Sequence, residues 1–469
     1  MQTKTESGET VSASTKNAPV GVRDLTQGNI SKQIVIFALP LLLSQIFQEL
    51  YNTADSFIVG HYLGTEALAA VSSSGTLINL FISFFSGTAI GGGVVISRYF
   101  GAGHRDLVQR SIHTMICSGF ICGIVLSAVG VAFTPTVLVW MKTDPDVLPD
   151  AIEYFRYYFL GALATIMYNV CLGIMNAIGD SRRPLYYLIF SSLINVVLDV
   201  LFVGVCGWGV WSAAVATVIS QAASAVMCFL HLTRRDFVFR VRISQLRIDR
   251  PVLLEIMRCG LPSGLQNSVI NLANVIIQTQ INSFGTYAMA AYGTHAKVEG
   301  FGFLPITSFT MAITTFVSQN LGAKQYERAK KGARFGIITC ITMAELIGIA
   351  SYIFAPQLIS MFDSTPGVVE LGVEQTRIIS LFYFLLAYSH SVASVCRGAG
   401  HAFVPMLIML LVWCVFRIFY IYAVMFLFGE LKFVYWAYPI TWSISSVIYF
   451  IYYHRSDWVY GFDNAKSLK

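Results

Sequence analysis

Charge is what this sequence has little of: Asp, Glu, Lys and Arg make up 12% of its 469 residues. A soluble globular chain carries about 25%, so half the ionic surface that a water-soluble body needs is missing. Paired cysteines are missing too. Nine cysteines are scattered at 117, 122, 171, 206, 228, 259, 340, 396 and 414 with no CxxC spacing, which argues against a zinc or thiol redox site. They read as small apolar helix residues. No HExxH or serine-elbow motif occurs, and Gly91-Gly92-Gly93 is followed by no GK[ST], so it is not a phosphate loop. Together with Gly87 it gives GxxxG spacing, a sign of close helix packing. The eight histidines are dispersed, whereas an enzyme needs a clustered nucleophile and base or metal ligands. The expectation is therefore a non-enzyme without a cofactor or a bound metal. The first 28 residues hold no apolar stretch and read as a flexible tail rather than a signal peptide.

What is present is hydrophobicity, 55% of residues, delivered in runs. A bilayer core takes about 20 apolar residues per helix, and about twelve such runs recur from Ile34 to Tyr452. The net charge of +6 would suit a nucleic-acid binder, but its placement excludes that partner: the basic residues sit in short breaks between apolar runs. Rich breaks are Arg98 to Arg110, Arg182 and Arg183, Arg234 to Arg258, Lys324 to Arg334, and the C-terminal tail. The alternate breaks are often acidic, at Asp144, Asp146, Asp150, Asp363 and Glu370, with Lys142 and Lys432 as exceptions. The positive-inside rule then predicts an even helix number with both termini cytoplasmic.

The chain also repeats. Gly64-Thr65-Glu66-Ala67-Leu68-Ala69-Ala70 returns as Gly285-Thr286-Tyr287-Ala288-Met289-Ala290-Ala291, an offset of 221 (64 to 285). The same offset pairs Ser97, Gly101 and Ala102 with Ser318, Gly322 and Ala323, and Gly179 and Pro184 with Gly400 and Pro405. Glu153 and Arg156 pair likewise with Glu374 and Arg377. Leu39-Pro40 matches Leu261-Pro262 with one residue of slip. These matches predict an all-α integral membrane protein of two pseudo-symmetric six-helix lobes in one orientation, with a cavity between them. The expected division is a tail at 1–30, an N-lobe at 31–232, a linker at 233–258 with seven arginines, a C-lobe at 259–454 and a tail at 455–469.

Three runs carry a family resemblance: ALPLLLSQIFQELYNTADSFIVGHYLG from Ala38, ISRYFGAG from Ile96 and NAIGDSRRP from Asn176. VSQNLGA from Val317 and CRGAGHAFVP from Cys396 echo them in the second half. The chain resembles bacterial multidrug and toxic compound extrusion (MATE) transporters over nearly its whole length after the tail. The resemblance implies a V-shaped bundle in the plasma (inner) membrane that exports small organic cations in exchange for H⁺ or Na⁺. It implies partners limited to those solutes and membrane lipid, and a monomer is expected. A flippase for lipid-linked saccharides on the same fold is the alternative; it would want a cationic cavity, and Lys297 and Arg417 are the few cations within the spans.

An ionisable residue inside a membrane costs about 2.5–3.5 kcal/mol on insertion scales and needs a reason. Glu49, Asp55 and Asp199 qualify in the first half. Asn195 and Asp199 lie four apart, on one helix face, and their oxygens suit a hard cation or a proton relay. Burial and a neighbouring carboxylate both help a carboxyl hold its proton. The resemblance places Asp55, Asn195, Asp199 and Thr217 in one first-lobe coupling site, with Tyr154 in competition with Tyr157 and Tyr158. The plainer alternatives are a helix cap for Asp55, an interhelical hydrogen bond for Asn195 and Asp199, and a packing hydroxyl for Thr217. Some relatives carry a glutamate in the seventh helix, where this chain offers only the amides Gln266, Asn267, Asn271, Asn274, Gln278 and Gln280. Asn274, Gln278, Lys297 and Glu299 are candidate substrate-cavity residues, with helix packing and structural ion pairs as the alternatives.

Overall fold

The computed structural model describes residues 23–140 and 145–460. Of the expected tails at 1–30 and 455–469, residues 1–22 and 461–469 lie outside the described residues, as do Lys142 and Asp144. The described stretch from Arg23 is not a free tail, since Leu25 is fully buried and bonded to Gln319. Helix follows helix with short breaks. The first run, Ile30–Gly101, is interrupted at Gly64, whose φ of 88° and ψ of −172° suit only glycine. We label its parts α1 (Ile30–Gly64) and α2 (65–101). Then come α3 (Arg105–Trp140), α4 (Leu148–Leu160 and Ala162–Ala177, bent by 47°), α5 (Arg182–Val205) and α6 (Trp211–Thr233). The second series is α7 (Arg250–Asn282), α8 (Thr286–Gly322), α9 (Tyr326–Ile353) and α10 (Pro366–Ser380 and Tyr383–Gly398, bent by 53°). It ends with α11 (Phe403–Leu427) and α12 (Ala437–Arg455).

Among the described residues, eight single helices could cross a membrane by length and apolar content, and ten spans result when each bent pair is one. The others are α7, diluted by its amides, and α12, diluted by Ser, Trp and Tyr; α2 counts through its portion Phe81–Gly101. Phe120, Phe190, Val226, Leu346 and Phe419 expose half or more of their area on the outside of the bundle, which is the surface that lipid, not water, covers.

The repeat is written into the backbone. Gly64 and Gly285 share an extended, positive-φ conformation (88° and 100°). Gly179 and Gly400 also share a positive φ (86° and 83°). Both fourth spans bend, and both fifth spans loosen into π-helical stretches, Val200–Val205 and Leu410–Phe416.

Two cores form, and they exchange their first helices. One holds Ile58 and Val59 from the end of α1 with buried residues through α6, and adds Val252 and Ile256 from the start of α7. The other holds Ile277 and Ile281 from the end of α7 with residues through α12, and adds Ile34, Phe37, Ala38 and Leu41 from the start of α1. The face where the described chain begins and ends, here the terminal face, is closed by direct contact between lobes. Leu25, the start of α9 and the end of α8 meet there through Arg328 and Gln319. α2 and α7 touch backbone to backbone: a Cβ on Gly87 would come within 2.3 Å of Gly264, and one on Gly91 within 2.4 Å of Gly260. Ser318 Oγ donates to Val94 O (2.7 Å), Gln319 Nε2 donates to Ala177 O (2.8 Å), and Arg98 pairs with Glu255 at 2.6 Å.

Candidate functional site

Above this closure lies a cavity of about 460 Å³ between the lobes, walled mainly by α1, α2 and α4 with contributions from α5, α6, α8 and α10. Its polar wall includes Gln48, Tyr51, Asn52, Tyr158, Asn176 and Gln221. Arg397 is the single charged side chain lining it among the described residues. Asn176 and Arg397 occupy equivalent positions in the two repeats at the 221 offset. Asn176 is buried, and neither end of its amide has a partner among the described residues.

The first-lobe candidates come together behind this wall. Gln48, Tyr51 and Asp55 are spaced three and four apart, on one face of α1. Tyr51 Oη accepts from Gln48 Nε2 (2.7 Å) and from Gln221 Nε2 of α6 (3.1 Å). Those two bonds leave its own proton free to donate. Asp55 stands within electrostatic reach of Tyr51, Tyr154, Tyr158 and Asp199. Asn195, Asp199, Thr217 and Tyr154 are all buried. Asn195 Nδ2 donates to Thr217 Oγ1 at a long 3.5 Å. Among the described residues nothing donates to Asp55 Oδ1, Asn195 Oδ1, Gln221 Oε1 or either oxygen of Asp199. Five buried oxygens without donors cost free energy unless a proton or a cation serves them.

Tyr154 and Tyr158 stack at 6.3 Å, Tyr154 within electrostatic reach of Asp55 and Asp199 and Tyr158 within reach of Asp55. Tyr157 instead packs on Trp211. Glu49 is half-buried on α1 and does not line the cavity; its backbone carbonyl accepts from Thr53. The second-lobe candidates do not join the cavity wall. Asn274 is half-buried and Gln278 is exposed on α7. Lys297 is exposed over the Phe362 ring at 5.7 Å. Glu299 faces His295 of its own helix at 4.0 Å and lies within reach of Arg417. Other α7 amides act in packing: Asn271 donates to Ser83 of α2 (3.2 Å), and Gln266 reaches Met409. Arg417, a cation suspected from sequence, donates twice to Thr441 and stacks on Trp413 and Tyr438, a structural anchor of the second core.

Sequence reasoning missed Tyr51, Gln221, Asn176 and Arg397. Tyr51 could have been found from its place one turn before Asp55. Arg397 could have been found as the charged partner of Asn176 across the repeat.

A two-repeat helical bundle with a polar cavity between its lobes and a carboxylate pair buried beside it defines a multi-pass membrane transporter. The sequence matches the MatE family at residues 40–201 and again at 262–423, once per repeat, and the chain belongs to that family. It is similar to the probable multidrug resistance protein YoeA of Bacillus subtilis, 28% identical over 84% of this chain and 87% of that one. It is also similar to a FAD transporter of Shewanella oneidensis, 26% identical over 74% of this chain and 77% of that one. Among solved structures, a MOP superfamily transporter from Pyrococcus furiosus superimposes with a TM-score of 0.86 over 92% of this chain and 96% of that one, at 22% identity.

Proposed function

We propose that the protein is a secondary antiporter that exports small amphipathic organic molecules, organic cations foremost, in exchange for H⁺ or Na⁺. It works as a monomer by alternating access, in the plasma membrane with both termini cytoplasmic. One observation carries the coupling: Asp55 and Asp199 sit together behind Tyr51 and Gln221, and those two side chains also line the cavity. When the carboxylates bind a proton or Na⁺, the charge beside the Tyr51 hydroxyl changes, and the Tyr51–Gln221 bond that shapes the cavity wall readjusts. Loading the ion and loading the solute thereby act on the same bond, which couples them. The relatives named for multidrug resistance support drug export.

Arg397 favours a second reading of the substrate. It gives a carboxylate or phosphate a partner on the cavity wall, so the solute is zwitterionic or anionic; the similar chain named as a FAD transporter supports that class. A saccharide-lipid flippase would want several such cations, and the wall offers one. The test is transport in proteoliposomes of a cationic dye and of an anionic aromatic solute, under an imposed pH gradient or an imposed Na⁺ gradient. Uptake of either solute driven by one gradient, and lost in Asp199→Asn, supports antiport through this site. Gradient-driven uptake that survives in Asp199→Asn overturns the coupling assignment.

A further inference from the structure

The side of the first lobe where α3, α6 and the linker meet carries two adjoining features that the transport cycle does not use. At the terminal face a polar cavity of about 550 Å³ opens between the first turns of α3 and the linker. Its cations are Arg110, Arg242 and Arg247, and its acids are Asp106 and Asp249. Arg110 is engaged by Asp249 at 3.7 Å. Among the described residues no carboxylate forms an ion pair with Arg242 or Arg247, and both are exposed. At the back, His113 is buried and its Nε2 has no hydrogen-bond partner among the described residues.

Deeper along the same helices runs an apolar groove of about 770 Å³, with Phe120 and Ile121 of α3 on one bank and Val226 and Leu230 of α6 on the other. Leu246 and Arg247 line both spaces, so the polar cavity and the groove are continuous. The spacing suits a lipid. From Arg110 to Ile121 the helix advances roughly 16 Å at 1.5 Å per residue, the span from a head group to the upper part of an acyl chain. Ile243 is 68% exposed next to Arg242, and Ile248 is exposed next to Arg247. Apolar and cationic side chains alternating in one loop are the composition that settles at a membrane interface.

We infer that this is a binding site for an anionic phospholipid, with its head-group phosphate on Arg242 and Arg247 in front of His113 and one acyl chain in the α3–α6 groove. Charge alone would accept free phosphate equally well; the continuous groove selects the lipid. Basic pockets at the ends of membrane helices recognise anionic head groups in this way. The site pins the linker to the first lobe and to the bilayer surface.

The full chain, delipidated in detergent and titrated with phosphatidylglycerol or phosphatidylcholine, would be followed by native mass spectrometry. The wild type should retain phosphatidylglycerol preferentially. The double variant Arg242→Ala/Arg247→Ala should lose about 30-fold of that preference, taking about 1 kcal/mol per cation near an anionic head group. Val226→Trp, at an exposed position, should weaken retention of the lipid by filling the groove while leaving the protein folded. Equal retention of the two lipids by the wild type, or an unchanged preference in the double variant, would overturn the assignment. So would displacement of phosphatidylglycerol by millimolar inorganic phosphate, which would make this a phosphate pocket without an acyl component.

Discussion

Replacing Gly91 by alanine should open the terminal face. A Cβ at that position would lie 2.4 Å from the Gly260 nitrogen and 2.5 Å from the Ile256 carbonyl oxygen, both backbone atoms that cannot rotate away. Ordinary contact between such atoms is about 3.5–4.0 Å, so α2 and α7 must separate by roughly 1 Å. Overpacking of this kind costs typically about 1–3 kcal/mol. The strain exists only while α2 and α7 touch, so it acts on the conformation in which they are in contact. At about 2 kcal/mol, the ratio of closed to open molecules falls about 30-fold. The protein carries its own reporter: Cys259 is buried beside Val94 and Ala402 at this contact. Its labelling by a water-soluble thiol reagent, read by peptide mass spectrometry, should accelerate by one to two orders of magnitude in Gly91→Ala. Gly93→Ala is the matched control, because its Cβ would meet only the Gly173 oxygen at 3.6 Å. Unchanged Cys259 labelling in a folded Gly91→Ala protein would refute the idea that this backbone contact closes the face.

Other perturbations probe the coupling site and the closure separately. Asp199→Asn should leave the protein folded, as judged by its elution and thermal unfolding, yet abolish gradient-driven uptake in proteoliposomes. Tyr51→Phe removes the hydroxyl that accepts from Gln48 and Gln221; at about 1–1.5 kcal/mol for the lost bonds, coupled uptake should fall about 5–10-fold, and unimpaired uptake would detach Tyr51 from the mechanism. Glu255→Gln breaks a half-exposed ion pair with Arg98. Such pairs are worth about 0–1 kcal/mol, so Cys259 labelling should rise no more than about fivefold, and high salt should erase the difference between variant and wild type.

The architecture was largely legible in the sequence because a membrane imposes long apolar helices and a repeat imposes its own offset. Gly64 and Gly285 were matched as letters and proved to share one backbone conformation. The GxxxG spacing at Gly87 and Gly91 signals close packing but does not say against what; only the fold brings it face to face with Gly260 and Gly264 on α7. Asp55, Asn195, Asp199 and Thr217 are spread over α1, α5 and α6, and the chain folds them into one nest. The cavity wall was less legible. Tyr51, Asn176 and Gln221 are ordinary polar residues within apolar runs, and nothing in their local pattern says which of them faces the space between lobes. Lys297 and Glu299 attracted attention as charges within a span, yet exposure over Phe362 and a neighbouring histidine account for them.

The exchange of first helices has a consequence for how such a chain could arise. Neither six-helix half closes its own core at the terminal face: the first half lends Ile34, Phe37 and Leu41 to its neighbour and borrows Val252 and Ile256 in return. A single repeat made as a free-standing protein would leave that borrowed seat empty. Two copies could fill it only by trading their first helices, the arrangement of a domain-swapped dimer. Fusion of the two copies by a linker would have turned a concentration-dependent assembly into an intramolecular one. It would also have let the halves diverge, so that one kept the carboxylates and the other acquired Arg397.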